Sequence, residues 1–152
     1  MWVSQNGEGT ADETGTGSNL LSPASCSAGF VGAGENVLTA GFAISGNASK
    51  RLLIRAVGPG LAPFGVGNTL PNPQLAVVRQ GATEPFAMND NWPNTEEVRA
   101  AFEKSGAFSL PVDSADAALV VTLEPGAYTV IVSSVTAAVT GQALVEIYDL
   151  DP

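Results

Sequence analysis

The sequence predicts an all-β fold, an antiparallel and jelly-roll-like β-sandwich with one short helix. Three observations predict it. About seven short runs are rich in Val, Ile, Leu, Thr and Ala, and Gly-, Pro- and Asn-containing turn signals separate them. Only one stretch carries helical periodicity. A parallel α/β fold would instead alternate strands with helices.

The elements follow in chain order. Residues 1–18 are rich in Gly, Thr and acidic residues and form a leader before a module spanning residues 19–152. Residues 37–44 are an apolar, β-rich run that stops at the turn signal Ser45-Gly46-Asn47-Ala48-Ser49. Residues 50–57 read as the next strand, and the two look like a hairpin. Arg51 and Arg55 lie four apart and therefore share one strand face, which suggests a polar side or a built-in ion pair. Residues 58–73 are rich in Pro and Gly but carry Leu61, Phe64, Val66 and Leu70, so they read as a packed loop. Residues 74–79 and 84–88 are strands around a Gly81 turn. Residues 117–123, 127–134 and 142–148 are three more. Within 127–134, alternation places Tyr128, Val130 and Val132 on one face.

The helix runs over residues 94–105. Asn94 or Thr95 can cap it, and Glu96 and Glu97 suit its positive end. Val98, Ala101 and Phe102 share a face, and Gly106 stops it. A helix this short is expected to plug one end of the sandwich.

Composition narrows the function. Hydrophobic residues make up 45% of the 152 residues and charged ones 14%, a globular balance that rules out a wholly disordered chain. The net charge of −9 offers no basic stripe for nucleic acid or anionic lipid. There is no histidine, which removes the commonest general base and transition-metal ligand. The single cysteine, Cys26, excludes an intramolecular disulfide and reads as a small buried hydrophobe. No apolar run is long enough to span a membrane.

Several segments carry a resemblance. NVLTAGFAISG, KRLLIRAVGPGLAPFGV, MNDNW, DAALVVTLEPGAYTVIVSSV and GQALVEIYDLD resemble an unnamed β-sandwich module common in large secreted and surface proteins of environmental bacteria. LEPGAYTV is also similar to the bacterial pre-peptidase C-terminal domain, a calcium-associated β-sandwich appended to secreted hydrolases. The resemblance covers residues 19–151, although residues 22–27, around Cys26, depart from its pattern. It implies an exported surface or adhesion module without a known reaction.

Four sets of residues are candidate sites. Asn89, Asp90 and Asn91, with Asp113 and Asp116, could offer hard oxygen ligands to Ca²⁺, and Glu96 and Glu97 could add to them. The alternative is that Asn89 to Asn91 form side-chain turns that end a strand and lead into the helix. Trp92 could stack a sugar ring or pack into the core. The pairs Asp113/Asp116 and Glu96/Glu97 predict no cleft for glycoside hydrolysis, so a non-enzyme is expected. Finally, the leader could donate a strand to a neighbour's sheet edge, anchored by Met1, Trp2 and Val3 or by Leu20 and Leu21.

The functional expectation is a non-catalytic extracellular module for surface display, adhesion or matrix attachment. The alternatives are a self-assembling filament or layer subunit working by N-terminal strand exchange, and a carbohydrate-binding accessory domain. Partners are expected to be proteins, including further copies of the chain, or polysaccharide, without nucleic acid or membrane insertion. Calcium is the one cofactor considered.

Overall fold

The computed structural model describes residues 2–5 and 24–151. Its elements are β1 (Trp2–Gln5), β2 (Ala24–Val31), β3 (Leu38–Ile44), β4 (Lys50–Val57), β5 (Pro73–Arg79), β6 (Ala87–Asn89), α1 (Glu96–Ser105), β7 (Ala117–Leu123), β8 (Gly126–Ser134) and β9 (Gly141–Asp149). They form two antiparallel sheets. One has the order β1-β3-β8-β5-β6, the other β2-β9-β4-β7. Strands close in sequence mostly lie in opposite sheets, while β2 pairs with β9, β3 with β8 and β4 with β7. This nested pairing is the wrap of a jelly roll, so the expected all-β sandwich with a short helix is the fold.

The expected pairing of residues 37–44 with 50–57 is corrected. The runs at 37–44 and 50–57 are not a hairpin, because β3 and β4 lie in different sheets. The cause is visible along β4, where Leu52 to Val57 are all buried. A strand covered on both faces belongs inside a sheet, and β4 takes β7 and β9 as neighbours. The turn at Ser45 to Ser49 therefore crosses from one layer to the other. The 74–79 and 84–88 pair does form a hairpin, β5 with a shorter β6, turned at Gly81 with φ 89°.

Alternation builds the main core. Ala40, Phe42 and Ile44 of β3 and Tyr128, Val130 and Val132 of β8 face Leu52, Ile54 and Ala56 of β4 and Ala143, Val145 and Ile147 of β9. Each fully buried large apolar side chain contributes on the order of 1.5–3 kcal/mol.

The outer face of the four-stranded sheet carries a second core. Leu53, Val57, Ala118 and Tyr148 of the sheet meet Trp92, Val98, Ala101, Phe102 and Leu110. Helix α1 thus lies over this face and does not plug an end of the sandwich. The reason is that Leu53, Val57 and Tyr148 point away from the main core and need a cover, which Val98, Ala101 and Phe102 supply. Thr95 is the cap, its Oγ1 accepting the Val98 N–H at 3.3 Å. Gly106, at φ 79°, ends the helix.

Candidate functional site

Two of the residues expected to bind calcium, Asp116 and Asn89, are engaged by the fold's own donors. Asp116 is fully buried. Its Oδ1 accepts the N–H of Gly58 at 2.7 Å and of Gly60 at 3.0 Å, and its Oδ2 accepts the Ser114 hydroxyl at 2.6 Å. The carboxylate therefore clamps the start of the Gly58-Pro59-Gly60 loop to the start of β7. Asn89 does similar work at the edge of β7. Its Oδ1 accepts the Ala118 N–H at 3.0 Å, and its Nδ2 donates to the Asn91 carbonyl at 3.1 Å. Asn91 Nδ2 donates to Asp90 Oδ1 at 3.4 Å, and Asp113 is exposed in the turn closed by Ser114 N–H and Pro111 O. Among the described residues, no group of three or more Asp, Glu, His or Cys side chains is placed to hold a metal ion.

Trp92 is not an exposed sugar platform. The ring is 6% exposed, packs on Phe102 at 5.2 Å between centroids, and donates its Nε1–H to Pro111 O at 2.9 Å. Burial follows from its place between the edge of β7 and α1, where a large flat ring completes the second core and its one polar atom finds a carbonyl.

Beneath the second core lies a charged network that the sequence announced only in part. Arg55, on β4, sits directly opposite Glu146 on β9. Arg55 Nε donates to Glu146 Oε1 at 2.7 Å, and Tyr148 Oη donates to Glu146 Oε2 at 2.9 Å. Arg55 Nη1 donates to Phe108 O at 2.6 Å, and the guanidinium lies 4.8 Å from the Phe102 ring and 4.5 Å from the Phe108 ring. Arg55 Nη2 is buried and makes no hydrogen bond among the described residues. Burial, then the neighbouring Glu146 carboxylate, hold the Tyr148 phenol well above its usual range. Arg51, on the same strand face as Arg55, meets Glu97 of α1 at 3.4 Å. The spacing of the two arginines suggested an ion pair; neither partner could be named from it.

Cys26 faces this network from β2, directly opposite Glu146. It is exposed, contrary to the expectation of a buried small hydrophobe, because β2 is the edge strand of its sheet. Although the residue is exposed, partial desolvation by its neighbours, then the charge of Glu146, push the thiol pKa up, while Arg55 pulls it down.

The edges of the sheets complete the picture. Strand β1 lies antiparallel on β3, with Trp2 opposite Ala43, Val3 opposite Phe42, Ser4 opposite Gly41 and Gln5 opposite Ala40. Of the leader's proposed anchors, Trp2 and Val3 belong to this strand, whereas Met1, Leu20 and Leu21 lie outside the described residues. On the other sheet, β2 pairs through all of its residues with β9. The sequence of β2, ASCSAGFV, holds only Phe30 and Val31 as strong strand formers, so it carries no local strand signal.

Fold and edges define a jelly-roll β-sandwich with an N-terminal strand added to one sheet. No protein-family model and no curated protein matches the chain.

Proposed function

We propose that this protein is a non-catalytic extracellular sandwich module for surface display or matrix attachment, and that neighbouring copies join by exchanging strand β1. The observation that carries the reading is the seat of β1 on the edge of β3. Four residues of backbone complete an otherwise open sheet edge, which is the geometry of strand addition. A β1 from another copy would make the same hydrogen bonds, so cis and trans pairing differ mainly in connection and concentration. Residues 6–23 separate β1 from β2, and at up to about 3.3 Å per residue such a length reaches on the order of 60 Å.

The absence of histidine supports the non-catalytic part, and the resemblance to modules of secreted bacterial proteins supports the extracellular part. Calcium at Asn89, Asp90, Asn91, Asp113 and Asp116 is no part of the proposal, since Asp116 serves as a loop clamp. Sugar stacking at Trp92 is set aside for its burial.

The test is the size of the purified chain by light scattering, with and without residues 1–18. Oligomers that grow with concentration and vanish on truncation are expected. A monomer in both forms overturns strand exchange and leaves a display module.

A further inference from the structure

Strand edges are the places where one sheet can recruit another, and folded proteins protect them. Three of the four edges here are managed. Strand β1, the edge beside β3, has only four residues. Strand β6 has only three residues. The edge of β7 is occupied by the connection out of β6, where Asn89 Oδ1 accepts the Ala118 N–H and the Trp92 N–H donates to Asp116 O. Strand β2 differs. It has eight residues, ASCSAGFV, without a charge or a proline. Its register with β9 runs unbroken from Ala24↔Tyr148 to Val31↔Gly141, so no bulge twists it away. Among the described residues it pairs with β9 alone. Cys26, Ala28 and Phe30 stand exposed along its outward face, Phe30 at 52%.

We infer that the free edge of β2 is a self-association surface, on which two copies pair β2 with β2 antiparallel about a two-fold axis and merge their four-stranded sheets into one. Charge places a contact between two copies at β2. The chain carries −9, so most approaches of two copies set carboxylates against carboxylates. A strand with no charge is where that repulsion is least. An antiparallel pairing of one edge with itself is self-complementary by symmetry. An axis through Ser27 keeps outward residues opposite outward residues. It sets Cys26 opposite Ala28, Ser25 opposite Gly29 and Ala24 opposite Phe30 of the partner. The two Cys26 residues then become diagonal neighbours on one face, about 7–8 Å apart. This interface is separate from β1 exchange, which uses the other sheet.

The experiment uses the full chain and a short bis-maleimide, which bridges two thiols only when they are held close. A Cys26–Cys26 dimer that rises with protein concentration is expected. The variant Ala28→Glu puts two like charges diagonally across the two-fold axis, on an exposed position that leaves the core intact. It should lose the bridged dimer, and its companion dimer in sedimentation, while melting like the parent. Deleting residues 1–5 should leave the bridged dimer in place even as it removes β1-dependent oligomers. A Val112→Cys, Cys26→Ser variant, with its thiol on another exposed site, should not be bridged. The inference is overturned if the parent chain stays monomeric and unbridged at every concentration, as it would if another part of the same chain covered the edge. It is equally overturned if Ala28→Glu is bridged as well as the parent, or if Val112→Cys is bridged to the same extent as Cys26.

Discussion

Arg55 and Glu146 face each other across the β4–β9 register as a fully formed ion pair, 2.7 Å from Nε to Oε1, with neither side chain more than 5% exposed. Such a pair owes its persistence to the groups around it. Tyr148 donates to the second carboxylate oxygen, Phe108 O accepts from Nη1, and two phenyl rings flank the guanidinium. Removing one partner leaves a buried charge unmatched. Glu146→Ala is therefore expected to cost about 3–5 kcal/mol in urea unfolding. The double variant Arg55→Met, Glu146→Leu should recover most of that loss, because it removes the stranded charge and keeps the volume. A double variant as unstable as Glu146→Ala would show that the pair's hydrogen bonds, and not the uncompensated charge, dominate.

Tyr148 sets an alkaline limit. Its phenol is held above the ordinary value of 10.0 by burial and by Glu146. A group whose folded pKa is raised contributes stability that is whole below its unfolded pKa and declines as pH rises above it. Below pH 10 the contribution should be flat, and from pH 10 upward unfolding should become easier. Tyr148→Phe should lack this alkaline decline while losing the hydrogen bond to Glu146, which costs about 1.5–3 kcal/mol when the acceptor is charged. Stability curves from pH 8 to pH 11, set against the parent, separate the two effects.

Asp116 ties two segments together through Gly58 and Gly60 on one oxygen and Ser114 on the other. Asp116→Ala strands two buried backbone N–H groups, at about 1–3 kcal/mol each. Asp116→Asn should be milder, since its carbonyl can still accept from both glycines and its amide can donate to Ser114 Oγ. Chemical denaturation of both variants checks the order. Metal chelation should leave the parent's stability unchanged if the clamp is the whole role of this carboxylate.

How far the sequence foretold this depends on whether a signal was local. The alternation in residues 127–134 and the cap, apolar face and stop of α1 are local, and β8 and the helix follow them closely. The apolar run 50–57 gave a strand but not its layer, because burial on both faces is read from neighbours that lie far along the chain. Strand β2 was missed for the same reason: Ala, Ser and Gly make a weak strand by propensity, and only pairing with β9 defines it. The spacing of Arg51 and Arg55 suggested an ion pair, yet Glu146 is 91 positions from Arg55. Asn89, Asp116 and Trp92 have the residue types of ligand chemistry, whereas backbone N–H groups and carbonyls elsewhere in the fold engage them. Polar residues beside turns carry the same composition in both roles, and three-dimensional placement alone separates them.

Two glycines join the loop after β4 to the start of β9, and they give the sharpest steric prediction. Leu70 N–H donates to Gln142 O at 2.8 Å, and Gln142 N–H donates to Asn68 O at 2.8 Å. These bonds draw the backbone at Leu70 onto Gly58 and Gly141. A Cβ on Gly58 would run into the Leu70 carbonyl, and one on Gly141 would stand 2.6 Å from the Leu70 amide nitrogen. Both obstacles are backbone, so neither can rotate aside. Gly58→Ala and Gly141→Ala should each lower stability by about 1–3 kcal/mol, the usual cost of overpacking. Gly67→Ala, in the same loop, would meet nothing within 4 Å. It should be neutral or gain up to about 1 kcal/mol by restricting the unfolded chain. Thermal melts of the three variants decide the matter. Equal losses at all three positions would mean that loop flexibility, and not the packing of Leu70 against Gly58 and Gly141, sets the requirement for glycine.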